Sequence, residues 1–434
     1  MLGVAGGRVP EGTRTRLIVE PRRQVSLSVL PIDDDPASAE EVSRESGIPA
    51  TMLRRHDAVV RQTHRRAGVV VVEVPAGQQD ALRRELEDAG FRARPPKPVY
   101  PLLNESVPFL RVPTIWHCGI EGDGIRVGIV DTGADRHPDF ADRIVANRDF
   151  TDTGAGDDVG HGTHVAGIVA GAGKTYRGVA PKVSLVIAKA LSSRGGTEDT
   201  VLAALSWMSR QKVDVVNLSL GGPGDPRDAL SREVDALTAE GILICVAAGN
   251  SGPAAGTIGS PGCAAGAITV GATDKRGHVT EYSSRGPVAG LRATKPDIVA
   301  VGGGTSPPRP CTYRSGVASA RARELDGDPC AVEQGYVRMS GTSMAAPHVA
   351  GVCALLLEAS RSGQRSASRI RRAREVRRAL LQGAVDLGLA PDVAGAGIVD
   401  AAKALAALGS RRSRALPTMS SSSPAIASSG IDPK

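Results

Sequence analysis

Five short apolar runs limit what this chain can become more than any other feature. They are "IRVGIV" (125–130), "VSLVIAKAL" (183–191), "VDVVNLSL" (213–220), "GILICVAA" (241–248) and "GAITVGA" (266–272). Each is apolar at consecutive positions, so an extended strand built from it needs cover on both faces. Segments with helical character separate several of them, such as "TVLAALSWMSRQ" (200–211) and "LSREVDALTAEG" (230–241). Strands of this kind joined by helical crossovers predict an α/β fold, a doubly wound parallel sheet with helices on both faces. In such sheets ligands bind just past the carboxyl ends of the strands. Three runs end in a polar group and then glycine: Asp131 in "IVDTG", Ser219 in "NLSLGG" and Asn250 in "AAGNSG". One such ending is an ordinary turn; three on neighbouring strands point to a shared site.

The 434 residues leave room for one large domain and a smaller one. Aromatics make up only 3%, so the core must be built from Ala, Val, Leu and Ile. The net charge of +7 is concentrated in local arginine runs such as "SRIRRAREVRR" (368–378), with no interleaved aromatics. That pattern reads as a solvated helix face, and no nucleic-acid partner is expected. No apolar run reaches ~18 residues, so no membrane-spanning helix is expected. The start, "MLGVAGGRVPEGTRTR", has no apolar leader, which as written suggests a cytoplasmic protein. Six scattered cysteines form no CxxC zinc pattern. Cys245 and Cys353 read as small core residues. Cys311 and Cys330 flank a polar insertion and would staple it in an oxidising compartment, which fits secretion better.

Residues 1–16 are expected to be flexible. Residues 17–103 form a separate block: "RLIVEPRRQVSLSVLP" and "AGVVVVEVPAG" read as strands and 78–90 as an amphipathic helix, a small α/β sandwich. A proline-rich connection at 95–101 leads to the main domain, 104–409, with an insertion at about 303–338. Residues 410–434 are Ser- and Pro-rich and expected to be disordered.

The chemistry-bearing stretches are "HGTHVAGIVAG" and "RMSGTSMAAPHVAG". A serine hydroxyl is a poor nucleophile at neutral pH and needs a histidine base, itself oriented by a carboxylate. His161 opens the first stretch, Asp131 ends a buried strand, and Ser343 opens a helix whose N-terminus favours negative charge. Asn250 can offer an amide donor to an oxyanion. The chain order is Asp, His, Ser.

"GIVDTGADRHPDF", "GHGTHVAGIVAG", "VVNLSLGG", "VAAGNSG" and "SGTSMAAPHVAG", in this order and spacing, resemble the successive motifs of the subtilisin-like serine protease family, over about residues 106–408. The resemblance implies a serine endopeptidase with nucleophile Ser343, base His161, orienting Asp131 and oxyanion donor Asn250, joined in one hydrogen-bonded line. It places Thr342 beside the oxyanion site and leaves Ser340 structural. Two edge segments are implied to sandwich an extended peptide: Gly195 and Gly196 within "SSRGG", and Ser219, Leu220 and Gly221 within "SLGG". Ala248, Gly249 and Gly259 are implied to line the first specificity pocket. No charged group stands there, so bulky apolar or aromatic residues are expected before the scissile bond. Ser260–Pro261 is expected to be cis. Residues 17–103 stand where the family carries an inhibitory propeptide, implying self-cleavage between Tyr100 and Ser106. The expected partners are therefore protein or peptide substrates and the chain's own N-terminal domain, with no membrane partner.

Other readings exist for these residues. His161 and His164 have HxxH spacing and could bind zinc with His348, but Gly162 stands where a zinc-site glutamate would be. His164 and His348 read as packed helix residues. Asp139 in "HPDF" matches a calcium-binding residue of some family members, yet "AGAGKTYRGVAP" lacks the insertion that completes that site; no cofactor or metal is expected. "KPDIVAVGGG" departs from the family's usual Ala-Pro-Gly ending. Insertion 303–338 reads as a tolerated surface loop, in preference to one narrowing access to the site. A non-catalytic binding protein on the same fold, or an esterase, would be the alternatives to an endopeptidase.

Overall fold

The computed structural model describes residues 14–21, 47–64, 69–94, 105–304, 315–328, 330–333, 335–361 and 368–414. The expected N-terminal flexible residues, the linker at 95–101 and Cys311 fall wholly or mostly outside these ranges. The chain divides into two compact units, Met1–Tyr100 and Pro101–Lys434.

The first unit contains β1 (Arg14–Pro21), α1 (Ala50–Arg55), β2 (Val59–His64), β3 (Val69–Pro75), α2 (Gln79–Asp88) and β4 (Phe91–Arg94). Its sheet has the order β2-β3-β1-β4, with β1 antiparallel to both neighbours. Val70, Val72 and Val74 alternate into one face and meet Leu82 and Leu86, four residues apart on α2. This is the two-layer unit that the strand and helix periodicities predict.

In the second unit, β5 (Arg126–Asp131), β6 (Ile144–Asp149), α3 (His161–Ala170), β7 (Ser184–Lys189), α4 (Glu198–Arg210), β8 (Val215–Leu218), α5 (Ala229–Ala239), β9 (Leu243–Ala247), β10 (Ile268–Thr273) and β11 (Ile298–Val301) follow in order. The seven strands lie β11-β10-β9-β8-β5-β7-β6, every adjacent pair parallel. Successive residues feed two cores. Ile187, Val215, Leu243 and Cys245 face α3 and the later helix α6 (Thr342–Arg361). Val186, Val216, Ile244 and Val246 face α4 and α5. That division explains why the five runs are apolar at consecutive positions. Edge strand β6 alternates half-buried and exposed residues, so it carries no continuous apolar run. By length and composition α6 could span a membrane, but most of it is buried inside the unit as a core helix. Two further helices, α7 (Arg369–Gln382) and α8 (Ala401–Arg414), pack beyond it; α8 continues past the boundary expected at 409.

The structure departs from two expectations. The insertion is not a detached surface loop: β12 (Val317–Ala320), β13 (Ala331–Glu333) and β14 (Tyr336–Met339) form an antiparallel sheet, and β14 leads straight into α6. This sheet is bonded to α3, since His164 Nε2 donates to Val317 O (3.0 Å) and Ser319 Oγ donates to His164 O (2.8 Å). Nor is the arginine run only a solvated face. Arg377 donates to Gly266 O (2.7 Å), Ala267 O (3.1 Å) and Asp297 Oδ1 (3.0 Å), capping loose carbonyls ahead of β10. Cys330 is disulfide-bonded.

Candidate active site

Asp131 ends β5, the strand at which the chain turns from building one side of the sheet to the other. Ligand sites collect at such a reversal. Its side chain is fully buried, and Oδ1 accepts from Thr132 N–H (2.8 Å) and lies 2.6 Å from His161 Nδ1. A carboxylate only accepts, so Nδ1 carries the proton and Nε2 keeps its lone pair. Burial alone would lower the His161 pKa. The charge and hydrogen bond of Asp131, with Asp157 behind, outweigh it, and the net shift is upward from 6.5.

Local packing explains the short contact. A Cβ on Gly162 would stand 2.0 Å from Gly133 O, so only glycine lets α3 approach the end of β5 this closely. Thr132 Oγ1 accepts from Gly162 N–H (2.9 Å) and donates to Asp157 Oδ1 (2.8 Å). Buried Asp157 then caps α3, accepting from Gly160 N–H (2.7 Å), Thr163 N–H (2.8 Å) and Thr163 Oγ1 (2.6 Å). Its pKa is nevertheless raised, because burial outweighs these donors. The acids of "GAGDDVGHGTH" carried a legible signal, an acid just ahead of a helix start, that the sequence reading passed over.

Ser343 lies in the first turn of α6, partly exposed. Its hydroxyl donates to Ser219 O (3.2 Å), so the expected continuous line from Asp131 to Ser343 is not closed. A hydroxyl has one proton to give, and the carbonyl after β8 takes it. The segment is fixed in return: Ser219 Oγ donates to Ser343 O (2.7 Å) and accepts from Asn217 Nδ2 (2.8 Å). Asn250, exposed after β9, has Oδ1 pinned by Thr342 N–H (2.9 Å) and Thr342 Oγ1 (2.9 Å). With the oxygen held, Nδ2 is left as the free donor end of the amide. Thr342 thus sets the orientation of Asn250, a finer role than adjacency. Ser340 is exposed.

His164 and His348 face elsewhere. His348 Nδ1 donates to Met344 O (2.7 Å) and Nε2 accepts from Ser106 Oγ (2.9 Å). With His161 on Asp131 and His164 on Val317, each of the three histidines is hydrogen-bonded to a different partner. At Asp139, the Tyr336 hydroxyl sits 3.0 Å from both carboxylate oxygens.

The implied pocket segments fall into two groups. Gly222 and Ser260 exchange backbone hydrogen bonds (2.9 and 3.0 Å), which brings Leu220 and Gly221 beside Gly259. A Cβ on Gly259 would lie 2.1 Å from Gly222 O. Ala248 is buried with Ile258, Cys263 and Val288, and Gly249 N–H donates to Thr342 Oγ1 (3.2 Å). The Ser260–Pro261 bond is cis. Gly195 closes a turn with Ser192, and both it and Gly196 are exposed.

The subtilase family profile matches residues 122–403. Serine protease AprX of Bacillus subtilis (strain 168) is 37% identical over 266 residues, 55% of this chain and 58% of that protein. An intracellular serine protease of Paenibacillus polymyxa is 33% identical over 308 residues, 68% of this chain and 83% of that protein. Subtilisin DY of Bacillus licheniformis is 36% identical over 273 residues, 61% of this chain and 87% of that protein. Among solved structures, a protease of Pseudoalteromonas arctica PAMC 21717 superposes with a TM-score of 0.56 at 26% identity, covering 69% of this chain and 94% of that one.

Proposed function

Because the chain belongs to the subtilase family of serine peptidases, we propose that it is an endopeptidase working through Asp131, His161 and Ser343. The observation that carries this reading is the 2.6 Å contact between His161 Nδ1 and buried Asp131, which leaves Nε2 free to act as the base. In this reading the Ser343 hydroxyl leaves Ser219 O, its partner at rest, and turns to His161 Nε2 when substrate is bound. Oγ then attacks the scissile carbonyl carbon as its proton passes to Nε2. The carbonyl electrons move onto oxygen, where Asn250 Nδ2 and the N-terminus of α6 stabilise the charge. Collapse breaks the C–N bond, and the leaving amine takes the proton from Nε2. Water, deprotonated by the same nitrogen, hydrolyses the acyl ester and restores Ser343.

The peptide lies between Gly195–Gly196 and Ser219–Gly221, with its side chain before the cut received by Ala248, Gly249 and Gly259. The apolar character of Ala248, Ile258 and Val288 supports a preference for bulky apolar or aromatic residues there. We assign no calcium to Asp139, whose oxygens are already served by Tyr336. The first unit is the intramolecular inhibitor, released by a cut between Tyr100 and Ser106; Ser106, buried against His348, stays with the peptidase. The Cys330 disulfide supports an oxidising compartment.

A fluorophosphonate probe tests the core of this reading. Stoichiometric labelling lost in Ser343→Ala supports it, and equal labelling of both proteins refutes it. N-terminal sequencing of the purified protein tests maturation: a new terminus between residues 101 and 106, absent from Ser343→Ala, is the expected result.

A further inference from the structure

The loop that carries the base and the segment proposed to bind substrate are tied together by an ion pair whose lysine is buried and whose carboxylate is partly exposed. Lys189, at the end of β7, has no exposed side-chain surface. In the sheet it stands directly opposite Asp131. Its ammonium donates to Gly156 O (2.7 Å) and Asp158 Oδ1 (2.6 Å), both in the loop that ends at His161. The other Asp158 oxygen accepts from Ser193 N–H (3.1 Å) and Ser193 Oγ (3.0 Å). Ser193 lies inside the turn closed by Ser192 and Gly195, from which Gly195 and Gly196 run on exposed. Ala190 and Leu191 N–H groups also donate to Asp131 O (2.9 and 3.1 Å), so the turn springs from the strand end that the triad acid occupies.

From this arrangement we infer that Asp158 and Lys189 are positioning residues that set the peptide-binding edge at Gly195–Gly196 against the histidine loop. The inference rests on the protease reading above and adds the means by which an extended substrate is aligned with the base. The charge is permanent. Partial burial would raise the Asp158 pKa, but the hydrogen bonds from Lys189 and Ser193 and the Lys189 charge take it down to about 2. Asp158 therefore does not titrate during turnover. Its work is geometric: a substrate long enough to lie along the edge needs it, and a substrate that occupies only the first pocket does not.

The test compares an extended peptide with an acetylated single-residue ester in wild type, Asp158→Asn, Ser193→Ala and Lys189→Met. All proteins are normalised to active sites by fluorophosphonate titration. Asp158→Asn loses charge-assisted bonds to the turn and to Lys189. It is expected to lower kcat/KM on the peptide about tenfold, mainly through KM, while leaving the ester nearly unchanged. Ser193→Ala, an exposed and mild change, follows in the same direction by about threefold. Lys189→Met, which empties a buried charge site, gives the same split if it folds. The pH profile on the ester stays where wild type has it. Equal losses on peptide and ester, or a displaced pH profile, overturn the inference while leaving the triad standing. A wild type that neither labels nor cleaves either substrate fails the protease reading itself.

Discussion

Two buried histidines outside the site make the peptidase unit acid-labile by an amount that can be worked out. His164 is fully buried, with Nε2 on Val317 O and Nδ1 without a partner. Adding a proton at Nδ1 would bury a charge, and burial, aided by the neighbouring His161, holds its pKa at about 3. Burial likewise pushes His348 to about 4. For a histidine depressed in the folded state, the unfolded chain binds more protons below about 6.5, so stability falls as pH drops through that value. Between pH 7.5 and pH 5 each contributes a loss of about 2 kcal/mol, about 4 kcal/mol together. His161 acts with opposite sign, since its raised pKa makes the native state take up protons first.

Variants separate these effects. His164→Gln keeps an amide nitrogen near the Nε2 position and His348→Asn one near Nδ1, so each preserves a donor without a titrating ring. In a Ser343→Ala background, which cannot digest itself, urea unfolding is followed by fluorescence. Both tryptophans, Trp116 and Trp207, lie in the peptidase unit and report on it alone. The quantity compared is the change in unfolding free energy from pH 7.5 to 5, not its absolute level. The parent should lose about 4 kcal/mol more over that span than the double variant, and each single variant should recover about half. A double variant as acid-sensitive as its parent would refute the reasoning.

The remaining expectations concern the site. Asp131→Asn removes the charge that lifts the His161 pKa; kcat should fall about 10⁴-fold and the acid limb of the residual activity should move to lower pH. A limb that stays put would show that Asp131 does not set the base. Asn250→Ala should cost about 10²–10³ in kcat with little change in KM, and Thr342→Val, which removes one of the two bonds holding the Asn250 oxygen and leaves the backbone N–H bond, about tenfold or less. Gly162→Ala must push α3 off Gly133 O, so kcat should drop about 100-fold as the base is displaced. Full activity in that variant would mean that the helix start tolerates a shift the triad geometry should not.

Legibility of the chain divides along a physical line. The sheet could be read because a strand covered on two sides must be apolar at every position, and Val215, Val216, Leu243 and Ile244 obey that rule in sequence. β6 escaped because an edge strand faces water with alternate residues, and its sequence then resembles a loop. The proposed triad was legible because Asp131 ends a strand and His161 and Ser343 begin helices, with Gly162 next to His161 at a position where only glycine fits. The supporting polar groups were not. Lys189 closes a run of strand residues and, taken alone, reads as a surface lysine; only the three-dimensional partners Asp158 and Gly156 turn it into a buried charge. The insertion was misjudged for the same reason. Its length marked it as expendable, whereas Val317 O and Ser319 Oγ bond to His164, one turn beyond His161 on the same helix. A pattern of side-chain types records which faces must be dry. It does not record which charge meets which, so the partners of Lys189 and His164 emerge only once the chain is folded.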